Sequence, residues 1–423
     1  MRIENLRKEE VDGGARIAAT VSWEDCGRPA QDLFFETTGE FAGDLSGHPH
    51  AFLVAAVMPA MHFGEERVCV EGEVCPELVD GLTTVMHWMR HWWYRPDKEL
   101  IRVEARPMGG IRACRTGERA GFLFSGGVDS LATLRANRLR YPPEHPRSIR
   151  DGLLVHGLEI REAEVFRHVL DSVGELAGDA GVTQVPVRTN IRSLGPEDER
   201  AFWGEFWLNE FMGAAFAAIA HAFAGRWTRM AINSCHDIPN IIPYGSHPLI
   251  NPHYSSADLG IRHEGITLSR FEKTRLISGW ELGLRNLRVC NRTELYQPGM
   301  LNCGNCEKCV RTMLALLALG VLGRAEAFPV REVSEELVMT TVRLQASTLP
   351  LYRELIAPLE GIGRRDLVRA IRRKMAEHHR SEVRKARRKA FIEPVVGFDE
   401  SKLGGMLRKV KRAVLPGKGI YNE

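Results

Sequence analysis

The chain has 423 residues, more than one hydrophobic core usually supports, so two or three domains are expected. Hydrophobic residues at 44% and charged residues at 26% lie near globular averages and exclude a chain disordered throughout. The net charge of +3 hides an asymmetry: positions 364–389 carry twelve Lys and Arg against three acids, which leaves the remainder net acidic.

The first ten residues are charged throughout and hold no apolar run of signal-peptide length, so a cytoplasmic location is expected. Strand-like runs follow at 32–36, 51–57 and 66–71, then an amphipathic helix over 78–93 and a strand at 100–104. Together they predict a small N-terminal α+β module over 1–115. On its helix, His87 and His91 lie four apart among Trp88, Trp92 and Trp93. With no carboxylate nearby, a buried aromatic face is the plainer reading than a metal pair.

From Gly121 the pattern changes to strand (121–124), helix (130–140), strand (152–156), helix (162–176) and strand (183–187). Such alternation predicts α/β architecture, a parallel sheet flanked by helices. A helix over 202–223 follows. Its apolar stretch 211–224 is too short to cross a bilayer and is flanked by Glu205, Glu210 and Arg226, so no membrane span is expected. A strand at 229–233 leads into a loop over 236–260, long enough inside a compact domain to suggest function. A helix over 268–282, a cysteine cluster and an apolar helix over 310–319 complete the domain expected at 116–324. The last part, 325–423, reads as a helical basic C-terminal region, with further basic residues at 402–418. No aromatic residue interrupts 364–389, so nucleic acid is a candidate partner by charge, without base stacking.

The strand ending at Phe124 runs into Ser125, Gly126, Gly127, Val128, Asp129 and Ser130, and then into a helix. Free backbone N–H groups and the positive helix end suit an anion there, and glycines permit close approach. The serines add hydroxyls, and Asp129 adds a carboxylate suited to magnesium or an orienting bond. A phosphate chain is the implied ligand. No Lys follows the glycines, so this is not the nucleotide loop ending in Gly-Lys-Ser/Thr.

Four cysteines fall at Cys290, Cys303, Cys306 and Cys309, whereas Cys26, Cys69, Cys75, Cys114 and Cys235 are scattered. This clustering points to a metal in a reducing compartment, not to disulfides. Four thiolates make a closed tetrahedral zinc site. An iron–sulfur cluster and a redox thiol pair are the alternatives.

The hexapeptide at 125–130 resembles the signature of the PP-loop ATP pyrophosphatases, whose Rossmann-like domain belongs with the adenine nucleotide alpha hydrolases. With the cysteine cluster, positions 118–322 are similar to 7-cyano-7-deazaguanine synthases, in which four cysteines bind zinc. The basic Arg311 soon after the last cysteine fits, and so does the segment 267–273. The resemblance implies an ATP-dependent ligase that adenylates a small-molecule carboxylate, such as 7-carboxy-7-deazaguanine, for attack by a nitrogen nucleophile. AMP and pyrophosphate are the products, with magnesium and zinc as cofactors.

Carried over by position, Ser125, Asp129 and Ser130 are the catalytic candidates. Gly126, Gly127, Val128, His156, Gly157 and Leu158 join them in binding ATP, and Asn233, Asp237, Tyr244 and His247 are candidates for the substrate. The synthase's acidic, cysteine-containing substrate motif is absent: Tyr244, Gly245, Ser246, His247 and Pro248 stand there, and the gap from Cys290 to Cys303 is longer than usual. Relatives with added domains occur in anti-phage defence, where a deazaguanine is joined to a protein partner, so a protein acceptor is a further expectation.

His236 or His247 could serve as a base in the 236–260 loop, which also carries His253. Two rival readings use the same loop: a sulfur-transfer enzyme acting on tRNA, with Cys235 as the candidate thiol, and an ATP-sensing scaffold subunit without turnover.

Overall fold

The computed structural model describes residues 1–110 and 118–402, with side chains as far as 387. Cys114, the expected boundary at 115–116 and the basic residues at 403–418 lie outside the described residues. The chain divides by internal packing into a unit of Met1–Glu332 and a second one starting at Val333.

In the first unit the chain begins with β1 (Arg2–Val11), β2 (Gly14–Ser22) and β3 (Gln31–Thr38), then α1 (His50–Phe63), β4 (Arg67–Val74), α2 (Pro76–Trp93) and β5 (Arg102–Pro107). It continues with β6 (Ala120–Leu123), α3 (Val128–Arg140), β7 (Ile149–His156), α4 (Ala163–Asp179) and β8 (Thr183–Thr189). A π-helical stretch, Ala201–Phe211, runs into α5 (Met212–Ala222), followed by β9 (Arg229–Asn233), β10 (Gly260–Glu264), α6 (Arg270–Ser278), α7 (Glu281–Arg285) and α8 (Glu307–Ala318). The result is the expected α/β class, with one ten-stranded, mostly parallel sheet in the order β10-β9-β6-β7-β8-β3-β2-β1-β4-β5.

The N-terminal strands and the β6–β10 half share this sheet through one antiparallel seam. Phe35 faces Thr189 and Glu36 faces Arg188. Side chains lengthen the short ladder: Thr189 Oγ1 donates to Phe34 O at 2.7 Å, Thr37 Oγ1 donates to Pro186 O at 2.7 Å, and Asn190 bonds the backbone of both Asp32 and Phe34. Pro186 has no N–H, so a partner that donates to its carbonyl suits that position.

Residues 51–57, expected as a strand, instead lie in the first half of α1, which is buried continuously from His50 through Met61. A continuous apolar run has no period to separate helix from strand, and the unbroken burial from His50 to Met61 is that of a helix covered on every side. It packs against α5. The strands β1, β2 and β10 were not foreseen; β1 carries charges at most positions because its side chains are largely half-exposed. The tryptophans of α2 are only partly covered: Trp88 and Trp92 are half-buried, and Trp93 is exposed.

Beneath the far ends of the central strands, the fully buried Asp151 binds Arg119, Arg226 and the Trp227 indole, the last two at 2.8 Å each. Arg226 also reaches Asp44 at 2.7 Å. A buried carboxylate with this many donors is fully paired, which is the condition for a charge to persist in a core.

The described residues of the second unit form α9 (Glu335–Thr341), α10 (Leu349–Arg353), α11 (Ile356–Gly361) and α12 (Arg365–Lys402). Ser334 caps α9 by accepting from the Leu337 amide at 3.1 Å. Leu367, Val368, Ala370 and Ile371 of α12 are buried, while Arg365, Arg369, Arg372, Arg373, Arg380, Arg384 and Arg387 are exposed. Among the described residues, no helix is long and apolar enough to cross a membrane.

Two core histidines make the first unit sensitive to acid. His50 accepts the Cys75 amide through Nε2 at 3.0 Å, and His221 donates from Nε2 to Tyr254 O at 2.7 Å. Burial, helped by His221 and His48, pushes His50 down to about 3. Burial pushes His221 down to about 4, although the Tyr254 carbonyl opposes it. The unfolded chain takes up protons below about pH 6.5 and the folded chain does not, so stability is full above that pH and falls as pH drops toward 4 and 3. The expected loss at pH 5 is about 2 kcal/mol per ring, read by urea denaturation at pH 7.5 and 5. His221→Gln, which keeps a donor, is expected to flatten the dependence; equal stability at both pH values would contradict it.

Candidate functional site

The chain leaves β6 for β7 and β8 on one side, then returns to lay β9 and β10 on the other. That reversal makes the carboxyl end of β6 a topological switch point, where open α/β sheets form their crevice. The glycine loop sits there. Gly126 has φ +74, a left-handed conformation that glycine adopts without penalty. A Cβ on Gly127 would lie 3.3 Å from Arg288 O, and the Arg288 amide donates to Gly126 O at 2.9 Å. Ser130 Oγ donates to Gly127 O at 3.0 Å, and Ser125 Oγ stands 3.4 Å from it. Val128 and Asp129 open α3, whose first-turn amides have no acceptor within the helix.

Asp129 is the electrostatic centre. Its carboxylate meets Lys273 Nζ at 3.1 Å and Arg270 Nη2 at 2.9 Å, both from α6. Burial would raise its pKa, but Arg270, Lys273 and Arg311 together more than offset that and hold it below the ordinary value. Lys273 also donates to Ser234 O at 2.6 Å, just past β9. Asn233 donates to Leu123 O at 2.6 Å, tying the ends of β9 and β6, while its buried Oδ1 has no partner among the described residues. Arg270 Nε and Arg288 Nε and Nη2 are likewise buried and unpartnered there. Unpaired guanidinium donors beside a glycine loop are what an anionic ligand would satisfy.

At the end of β7, His156 donates from Nε2 to Arg161 O at 2.8 Å and stacks on Phe166, so its ring is engaged within its own turn. Gly157 has φ +105, and a Cβ there would strike Thr189 O. Leu158 is buried. Across the switch point, His236 packs edge-on to Tyr244, and His247 packs edge-on to Trp92. Asp237 is half-buried and accepts from Asn240 Nδ2 at 2.6 Å. Cys235 Sγ lies 3.4 Å from His236 Nδ1. Burial, then Asp129, pushes the Cys235 thiol up, and burial pushes His236 down. The His253 carbonyl packs on α2 where Gly81 lacks a Cβ. His87 and His91 are exposed, and His87 is bonded to Arg90.

The four cysteines converge. Cys290 and Cys303 sulfurs lie 3.4 Å apart, Cys306 and Cys309 3.4 Å, Cys290 and Cys306 3.7 Å, and Cys303 and Cys309 3.9 Å, all buried. A tetrahedron of sulfurs about 2.3 Å from a zinc ion has edges of about 3.8 Å, so this group could hold a metal such as zinc. Gly304, at φ +75, makes the turn between the second and third cysteines. Asn302 holds the frame. Its Oδ1 accepts from the Val289 and Cys290 amides, and its Nδ2 donates to Leu287 O and Ala327 O. Tyr296 OH donates to Cys290 O at 2.6 Å.

Comparison with protein-family models, with curated proteins and with solved structures gave no match. The geometry brings Ser125, Asp129, Ser130, Asn233 and Lys273 together at the carboxyl ends of β6 and β9 and gathers the four cysteines into another cluster. Sequence reasoning missed Arg270 as a partner of Asp129, as well as Arg288 and Asn302. Asn302, directly before Cys303, was the most findable, since an amide beside metal-ligand cysteines commonly bonds their backbone.

The purified protein is expected to carry one metal ion per chain by elemental analysis, and Cys303→Ala to lose it. Asn302→Ala leaves two amides and two carbonyls without partners, so an unfolding free-energy loss of about 3 kcal/mol is expected in urea titrations. A loss below 1 kcal/mol, about one ordinary hydrogen bond, would contradict this role for Asn302.

Proposed function

We propose that this chain is an ATP-dependent ligase that forms AMP and pyrophosphate, resembling 7-cyano-7-deazaguanine synthase, with zinc in the four-cysteine group. A carboxylate oxygen of the substrate attacks the α-phosphorus of ATP, and the bond to pyrophosphate breaks. An amine nitrogen, from ammonia or a protein partner, then attacks the acyl carbon; the bond to AMP breaks, and the nitrogen loses a proton to solvent.

The observation that carries this reading is the glycine loop at the switch point, with Lys273 and Arg270 beside it. Amides of the first turn of α3 would hold the departing pyrophosphate, and the Ser125 hydroxyl would add a donor, while Ser130 braces the turn through its bond to Gly127 O. Magnesium, brought with the nucleotide, would neutralise phosphate charge. Asp129 holds the two cations beside the loop.

Cys235 favours the ligase over sulfur transfer. A sulfur carrier needs a readily formed thiolate, whereas burial and then Asp129 push this thiol's pKa up. Cys235→Ala is therefore expected to retain full activity.

Labelled pyrophosphate exchange into ATP, with magnesium and 7-carboxy-7-deazaguanine, tests the reading. Exchange dependent on the acid is expected, falling about 100-fold in Asp129→Ala as an oriented electrostatic element is lost. ADP formation, or no exchange with any carboxylic acid, would sink it.

A further inference from the structure

Residues 365–387 of α12 divide into two faces. At about 3.6 residues per turn, Leu367, Val368 and Ile371 fall on one side, where they are buried and the helix packs on α9, α10 and α11. Arg365, Arg369, Arg380, Arg384 and Arg387 fall on the other, within an arc of about 100° and along about 33 Å of helix axis. All five are exposed.

The charge of this face is not compensated within the chain. Asp366 binds Arg364 at 2.8 Å, Glu377 lies 3.6 Å from Arg373 and 3.4 Å from Lys374, and Glu382 lies 3.1 Å from Lys385. Those are the three acids of 364–389, and Glu360 of α11 takes Arg372 at 2.8 Å. The guanidinium groups of the five arginines make no hydrogen bond or ion pair among the described residues. Like charges one turn apart repel, and burial of the opposite face holds these in line, so a polyanion would relieve a repulsion that folding creates.

Which polyanion fits follows from what the face lacks. From 376 to 387 the apolar residues are Ala376, Val383 and Ala386, too small a set to enter a bilayer or to anchor a peptide. No aromatic residue is there to stack on the bases of a single strand. Every unpaired cation of the face is arginine, whose planar fork meets a phosphate through two N–H bonds. Residues 379–382 and 384–387 are exposed, which leaves most of the helix circumference free to enter a groove. The major groove of B-form DNA, about 12 Å wide, admits a helix, whereas the deep, narrow one of A-form RNA does not.

We infer that the arginine face of α12 binds the phosphate backbone of B-form duplex DNA without reading its sequence. The proposal goes beyond adenylation and does not depend on it.

Fluorescence anisotropy of the full chain with a labelled mixed-sequence duplex two helical turns long tests it. With all five arginines on phosphates, affinity is expected to fall about 500-fold between about 50 and 200 mM salt. Arg380→Gln, Arg384→Gln and Arg387→Gln together are expected to cut that fall to about 12-fold, with the urea unfolding curve unchanged because all three are exposed. Should the triple variant misfold, Arg384→Gln alone is expected to cut the fall to about 150-fold. A wild-type fall of about 40-fold or less, the value for three phosphates, overturns the inference. No binding at the lower salt does the same, as does a folded triple variant that binds like the wild type. So does binding as tight or tighter to an RNA duplex of the same sequence, to one DNA strand alone, to vesicles of anionic phospholipid or to polyglutamate.

Discussion

One backbone contact joins the two motifs that stand out in this sequence. The Arg288 amide donates to Gly126 O at 2.9 Å, and the missing side chain of Gly127 lets Arg288 O approach the loop. Cys290 is two residues further on, and Asn302 binds the Val289 and Cys290 amides from across the insertion. The glycine loop therefore has a fixed wall, and that wall belongs to the four-cysteine frame. A flexible Gly-Gly pair would otherwise lose much of its first-turn geometry to backbone entropy.

On the opposite wall the restraint is ionic. Lys273 spans from Asp129 to Ser234 O, and Asn233 ties β9 to β6, so the loop is clamped between α6 and the sheet edge. The central strands are stapled at their far ends by Asp151, which keeps catalytic candidates and stability elements at opposite edges. The five N-terminal strands extend this sheet through the β3–β8 seam, so movement of β8 and of the His156 turn is limited by the N-terminal half.

Much of the site was legible because its chemistry is local. A hexapeptide that turns strand into helix within six residues, and three cysteines within seven, carry their geometry in their spacing. The ion pairs of Asp129 were not legible: Arg270 and Lys273 lie over 140 positions away, and only tertiary packing brings them in. Residues 51–57 misled because a fully apolar run has no polar face to betray its period. The charged β1 misled in the opposite sense, since a half-exposed strand can carry charge on most of its positions.

Whether the four-cysteine frame and the glycine loop act as one nucleotide-holding unit is tested most directly by calorimetric titration of ATP and magnesium into metal-loaded and metal-stripped protein. Binding to the loaded form, weakened at least tenfold on stripping and restored by adding the metal back, is expected from the Arg288–Gly126 contact. Equal affinity in both forms, or no binding to the loaded form, would contradict it.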